Sequence, residues 1–183
     1  MDISRHQAWV RGLLEHPEDH AWTMQDIGLL GLRLDDRREY RLHVWDPSSC
    51  VGEPPIHDHP FDFTSTIIAG EMTNVRFDED PSGVEHRRER YSPSDEGARR
   101  ADTVRLSRTT TTFAAGDQYS QLAHQLHESR QLPGTVTIIR RTFSTVPELT
   151  VCRRGEAAWV SGHSRPAAPE EVRRITATAL DLL

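Results

Sequence analysis

From Tyr40 to Phe143 the chain breaks into short runs with a two-residue period, separated by turn residues. A repeating pattern of this kind admits a β-sandwich or barrel and little else. Tyr40-Arg41-Leu42-His43-Val44-Trp45 alternates as a half-buried strand does, and Asp46-Pro47-Ser48-Ser49 predicts its end. Phe63 to Ala69 and Glu71 to Phe77 flank Gly70, which predicts a tight turn. Val84 to Tyr91 and Thr103 to Phe113 read as a further pair, with a polar, flexible stretch from Ser92 to Ala101. Ala114 to Asp117 is a turn leading into a strand from Gln118 to Leu122. Thr135 to Phe143 is rich in β-branched residues and is the clearest strand. Leu149 to Cys152 and Ala158 to Val160 are weaker strands.

Helical periodicity is confined to the ends. Ser4 to His16 carries an apolar stripe of Trp9, Val10, Leu13 and Leu14, with Ser4 able to cap it and Pro17 ending it. A second short helix is expected over Met24 to Leu30. Glu170 to Leu183 is helical again, with Pro169 near its start. The expected organisation is one domain: a helical N-terminal segment over 1–36, a single antiparallel β-barrel over 37–160, and a C-terminal helix over 169–183. Both helical segments should pack outside the barrel. No internal repeat is visible.

At 183 residues one domain can bury a core without staples. The hydrophobic fraction is 36%, charged residues make up 27%, and the net charge of -6 is spread over interspersed signs. No concentrated basic face speaks for nucleic acid. All 22 basic residues are arginine, which excludes Schiff-base chemistry and a lysine general base. Cys50 and Cys152 form neither a metal-type pair nor a disulfide framework. No apolar run approaches the ~20 residues that span a bilayer, and the N-terminus lacks a signal-peptide core. The chain is therefore expected in the cytoplasm, with a small molecule as its partner rather than nucleic acid or membrane.

Within the β region, Pro54-Pro55-Ile56-His57-Asp58-His59-Pro60-Phe61-Asp62-Phe63 places two histidines at i and i+2. Such residues share one face of an extended strand, so both imidazoles can reach one ion. This stretch resembles the first motif of the cupin superfamily, a His-x-His pair followed by a glutamate and a glycine. His57 and His59 match the pair and Gly70 the glycine, while Phe63 stands where the glutamate falls. The second cupin motif is matched by Gly116 at its start and by His127 as its histidine. Leu122, His124 and Gln131 replace its proline, second glycine and asparagine.

The resemblance, which runs from about Tyr40 to Phe143, implies a jelly-roll barrel and a metal held by His57, His59 and His127. Loss of the glutamate is similar to three-histidine dioxygenases of the cysteine or thiol dioxygenase type, although their Ser-x-His-x-Tyr set has no counterpart here. Three neutral ligands leave the ion its full charge, which suits an anionic or thiol-bearing substrate. Iron(II) is the expected metal for an oxygenase. Zinc, nickel or manganese would suit a redox-neutral isomerase, lyase or cyclase, because imidazole accepts several first-row ions. A non-catalytic binding module is the third reading.

His124 has three open roles: a ligand in place of His127, an outer partner, or a base. Tyr119 is a candidate acid or base beside it. Phe63, Gln121, Arg76 and Arg140 are candidates for contact with substrate, the arginines by clamping a carboxylate. His43 reads as an ordinary barrel residue, Asp62 as pointing away from the lumen, and His6, His16, His20, His86 and His163 as exposed. Barrels of this type pair through edge strands, so a homodimer is expected.

Overall fold

The computed structural model describes residues 3–37, 39–50, 56–91, 99–143, 149–154 and 164–183. The expected strand at Ala158 to Val160, His163 and most of the polar stretch after Tyr91 lie outside them. Helix α1 (Ile3–Glu15) is followed by strands β1 (Trp22–Gln25), β2 (Ile27–Arg33), β3 (Tyr40–Cys50), β4 (Ile56–His57), β5 (Phe61–Ala69) and β6 (Glu71–Tyr91). Strands β7 (Arg99–Ala114), β8 (Gln118–Gln121), β9 (Leu126–Gln131), β10 (Val136–Phe143), β11 (Leu149–Arg153) and β12 (Ser164–Pro166) precede helix α2 (Pro169–Leu180). Among the described residues no helix is long and apolar enough to cross a membrane.

Instead of one closed barrel, the strands form two antiparallel sheets. One has seven strands in the order β12-β1-β2-β3-β10-β5-β8, and the other has five in the order β11-β4-β9-β6-β7. Strand β6 is long enough to serve two partners. Its first part pairs with β9 and its last part with β11, which also pairs with β4. A core of Ile56, Val75, Phe77, Val104, Leu106, Leu126 and Cys152 packs where these strands meet.

The seven-stranded sheet is covered on both sides, and its period-2 pattern divides the labour. Leu30, Leu32, Leu42, Val44, Ile68 and Val136 share one core with Val10 and Leu14 of α1 and Val172, Ile175 and Ala179 of α2. Both helices therefore lie on its outer face, as expected. The alternate residues Arg41, His43, Trp45, Phe63, Ser65, Thr137, Ile139 and Arg141 turn inward. Trp9, counted in the α1 stripe, is 47% exposed.

Three local readings change. The expected helix over Met24 to Leu30 is the β1–β2 hairpin, paired from Trp22↔Leu32 to Gln25↔Leu29. Leucine favours helix, but here Leu29 and Leu30 are needed on opposite faces of one sheet, and packing overrides propensity. Second, β3 does not stop at Asp46. A bulge carries it on to Cys50, where Arg174 of α2 donates to Asp46 Oδ2 at 2.7 Å and to Ser49 Oγ at 2.9 Å. Third, Glu71–Phe77 and Val84–Tyr91 belong to one strand. Its register shifts between Glu79 and Val84, and Asp80 Oδ1 accepts the Ser82 backbone N–H at 2.8 Å in that bulge.

Gly70 turns the chain from β5 into β6 at φ +77°. A Cβ there would lie 2.6 Å from Thr135 Oγ1 and 2.9 Å from Thr135 Cα. Thr135 is fully buried and its hydroxyl donates to Glu71 O at 2.9 Å, so it has little room to give way. Gly70→Ala should lower unfolding free energy by about 2 kcal/mol, from the left-handed backbone and the clash together. Urea unfolding measures this, and a loss under about 0.5 kcal/mol would show that the turn relaxes freely.

Candidate metal centre

Strand β4 is only two residues long, yet it has a partner on each side. Val151 of β11 lies opposite His57 on one edge, and His127 of β9 lies opposite His57 on the other. Direct cross-strand partners point to the same face. His57 and His127 are thus side by side on the wall between the sheets. Ile56 and Cys152 form the neighbouring pair and face the second core.

Two residues after His57 the alternation returns His59 to the same face. The intervening Asp58 is buried and clamps the segment. Its N–H donates to Thr150 O at 3.1 Å, and its Oδ1 accepts the Thr150 N–H at 2.7 Å. Burial raises the Asp58 carboxyl pKa, against the Thr150 hydrogen bonds and the nearby His124 and His57.

The three imidazoles converge. Ring centroids are 4.8 Å apart for His57–His59, 4.8 Å for His57–His127 and 5.0 Å for His59–His127. One candidate ligand atom from each lies within 4.8 Å of the others, and the Nε2 atoms of His59 and His127 are 2.9 Å apart. Metal–imidazole bonds of ~2.0–2.2 Å need nitrogens grouped on this scale. The protonation states fit as well. Burial holds His59 well below the usual range, helped by His57, His127, Arg141 and His43. Burial, then His57, does the same for His127. Neutral imidazoles keep a lone pair for a cation. The donor set therefore fits a divalent first-row ion.

This wall bounds a cavity of about 300 Å³ between the two sheets. Phe63 is buried beside the cluster, with ring centroids 5.2 Å from His59 and 6.0 Å from His127. Tyr119 also lines the cavity. Its ring stacks on Phe113 at 4.8 Å and its hydroxyl donates to Met72 Sδ at 3.2 Å. Burial raises the phenol pKa, against the opposing influence of the nearby Ser65 and Ser129 hydroxyls, and so favours its protonated form.

Other sequence candidates lie elsewhere. His124 sits at φ 63° in the β8–β9 turn, with its side chain 58% exposed and Nδ1 3.8 Å from Asp58 Oδ2. It is outside the cavity lining. Gln121 is fully buried, and it bonds to Asn74 and Gln125 rather than lining the cavity. Arg76 is opposite His127 on the ladder but exposed. Arg140 is exposed on the outer face, its guanidinium 5.9 Å over Tyr40. His86, expected at the surface, is buried against Phe77 and bonded to Val84 O at 2.8 Å.

Four residues of the site lie outside the sequence motifs, His43 among them, which the sequence alone gives as an ordinary barrel residue. Arg41 and His43 of β3 and Arg141 of β10 line the cavity, and Asn74 of β6 holds His127 Nδ1 at 2.9 Å. The signal was parity. Arg41, His43 and Trp45 share a face, and Arg141 shares one with Thr137 and Ile139, whereas Arg140 has the opposite sense. The Arg141 guanidinium lies 3.6 Å over the Phe61 ring, facing the cluster.

No family model and no curated protein matches the sequence. Among solved structures, the chain is similar to a cupin-like protein from Thermotoga maritima. The identity is 11%, the match covers 84% of this chain and 87% of that one, and the TM-score is 0.29.

His43 is held neutral. Burial, then Arg41 and Arg141, lower its pKa from 6.5 to about 3. In the unfolded chain it binds a proton below 6.5; folded, it does not until about 3. Stability must therefore fall as pH drops through that window, by about 1.4 kcal/mol per unit for each such histidine. His59 and His127 act in the same direction. In metal-free protein, urea unfolding at stepped pH should show His43→Leu losing less stability than wild type between pH 6 and 4. Equal slopes would mean that His43 takes up its proton in the folded state.

Proposed function

We propose that this chain is a metal-dependent cupin oxygenase that holds iron(II) on His57, His59 and His127 and acts on a small anionic substrate. The convergence of these three imidazoles on one cavity wall carries the reading. The motif resemblance supports it, since the two histidines of the first motif and the one of the second are the residues that meet. The substrate class rests on the opposite wall. Arg41 and Arg141 make it cationic around the neutral His43, and two polar atoms of the cavity lining, His43 Nδ1 on this wall and Gln131 Nε2 on the His127 strand, are buried without a hydrogen-bond partner among the described residues. Buried polar atoms of this kind are satisfied by a bound ligand or water.

Iron(II), when bound, supplies the dioxygen chemistry. The protein's part is positional. Arg41 and Arg141 draw a carboxylate or thiolate into the cavity and orient it towards the histidines. Phe63, Phe61, Trp45 and Leu29 exclude water from the remaining space. Phe63 in the carboxylate position leaves the histidine set neutral, so the cation keeps its attraction for an anionic ligand. Tyr119, protonated and in the wall, can donate a hydrogen bond or a proton to the substrate.

Anaerobic reconstitution with iron(II), followed by oxygen-uptake assays on carboxylate-bearing thiols, catechols and diketones, tests the reading. Oxygen uptake that requires iron and is abolished in His57→Ala is the expected result. Turnover without oxygen, with zinc, nickel or manganese, would replace it by a redox-neutral metal enzyme. Ligand binding that survives in His57→Ala would replace it by a binding module.

For the accepted substrate, Arg141→Met should raise KM about 10–100-fold, the worth of a charge-assisted hydrogen-bond pair, with a smaller change in kcat. An unchanged KM would remove Arg141 from substrate binding.

A further inference from the structure

A line of amide groups runs from a backbone carbonyl to the back of His127. Gln121 Nε2 donates to Gln125 O at 2.9 Å. Asn74 Nδ2 donates to Gln121 Oε1 at 3.3 Å. His127 Nδ1 lies 2.9 Å from Asn74 Oδ1. Asn74, Gln121 and His127 are all buried, so each polar atom must find its partner within the protein.

The sense of this line follows from its first member. A carbonyl oxygen can only accept, so the Gln121 nitrogen must face Gln125 O. Its oxygen then faces Asn74, which must offer its nitrogen. That turns the Asn74 oxygen towards His127, where only a protonated Nδ1 can complete the bond. Neither amide can flip without setting two acceptors or two donors against each other. The carbonyl at the origin is itself held in place. The β8–β9 turn is tied by Gln125 N–H to Leu122 O at 3.2 Å, Ala123 N–H to Asp62 Oδ1 at 2.6 Å, and His124 N–H to His59 O at 3.3 Å.

We infer that Asn74 and Gln121 are positioning residues that select the His127 tautomer, holding the proton on Nδ1 and presenting the bare Nε2 to the cavity. The inference rests on the reading of His57, His59 and His127 as a metal site. A neutral imidazole free in water samples both tautomers, and a metal ligand must first settle on one of them. Here the choice is made before any cation arrives, by residues that do not touch it.

The test begins with the metal-free protein at about pH 8, using side-chain 15N resonances of histidine. In wild type, His127 should show its proton on Nδ1 and a bare Nε2. A proton on Nε2 overturns the proposal without any variant. Gln121→Leu and the bulkier-chained Gln121→Met free Asn74 to rotate, and His127 should then populate both tautomers. Zinc affinity, read by competition with a chromophoric chelator, should fall about 10–100-fold. Adding Asn74→Asp to either variant should return the proton to Nδ1, because a carboxylate offers acceptors only. A merely structural role would show no such rescue. Should the Gln121 variants keep both the wild-type tautomer and the wild-type affinity, while His57→Ala loses zinc, the relay is wrong and the metal site stands. If wild type binds zinc no better than His57→Ala, the metal-site reading fails, and the tautomer measurement still judges the relay.

Discussion

One ladder contact organises this site: His57 of a two-residue strand lies directly opposite His127 of β9. The two are 70 positions apart in sequence, and nothing local brings them together. The contact exists because β4 is held between β9 and β11, and because the Asp58–Thr150 pair anchors the chain just past it. A slip of one residue would send His57 into the second core and bring Ile56 to the cavity. The convergence is therefore a property of sheet register before it is a property of side chains.

A second constraint concerns polarity. The space between the sheets holds three histidines, His43, Arg41 and Arg141, all cations or potential cations. Burial favours their neutral forms where a neutral form exists, and His43 and two of the cluster histidines titrate low. The arginines stay charged. The result is a cavity with lone pairs on one wall and positive charge on the other. Such a division receives a metal cation and an anion together better than it receives either alone.

Much of this was legible in the sequence because it depends on period and spacing. The His57–His59 pair, the Gly70 turn, the terminal helices and most strand positions rest on local chemistry. What was not legible depends on the second sheet. The leucines of β2 read as helix because single-residue propensity does not record that the sheet is covered on both faces. Strand β9, which carries His127, has no strand signature, since Leu126-His127-Glu128-Ser129-Arg130-Gln131 is too polar to signal burial by itself. Strand membership alone does not separate Arg140 from Arg141, and it is Arg141, one residue off in parity, that lines the cavity. Asn74 reads as an ordinary polar strand residue and Gln121 as a substrate contact. Their role appears only when β6, β8 and β9 bring them into line with His127.

If His57, His59 and His127 act together on one ion, X-ray absorption of the iron-loaded protein shows it most directly, because imidazole rings give a distinctive multiple-scattering signal. Three imidazole nitrogens at about 2.0–2.2 Å are expected in wild type and two in His127→Ala. Fewer than three imidazoles in wild type, or a count unchanged in His127→Ala, would contradict it.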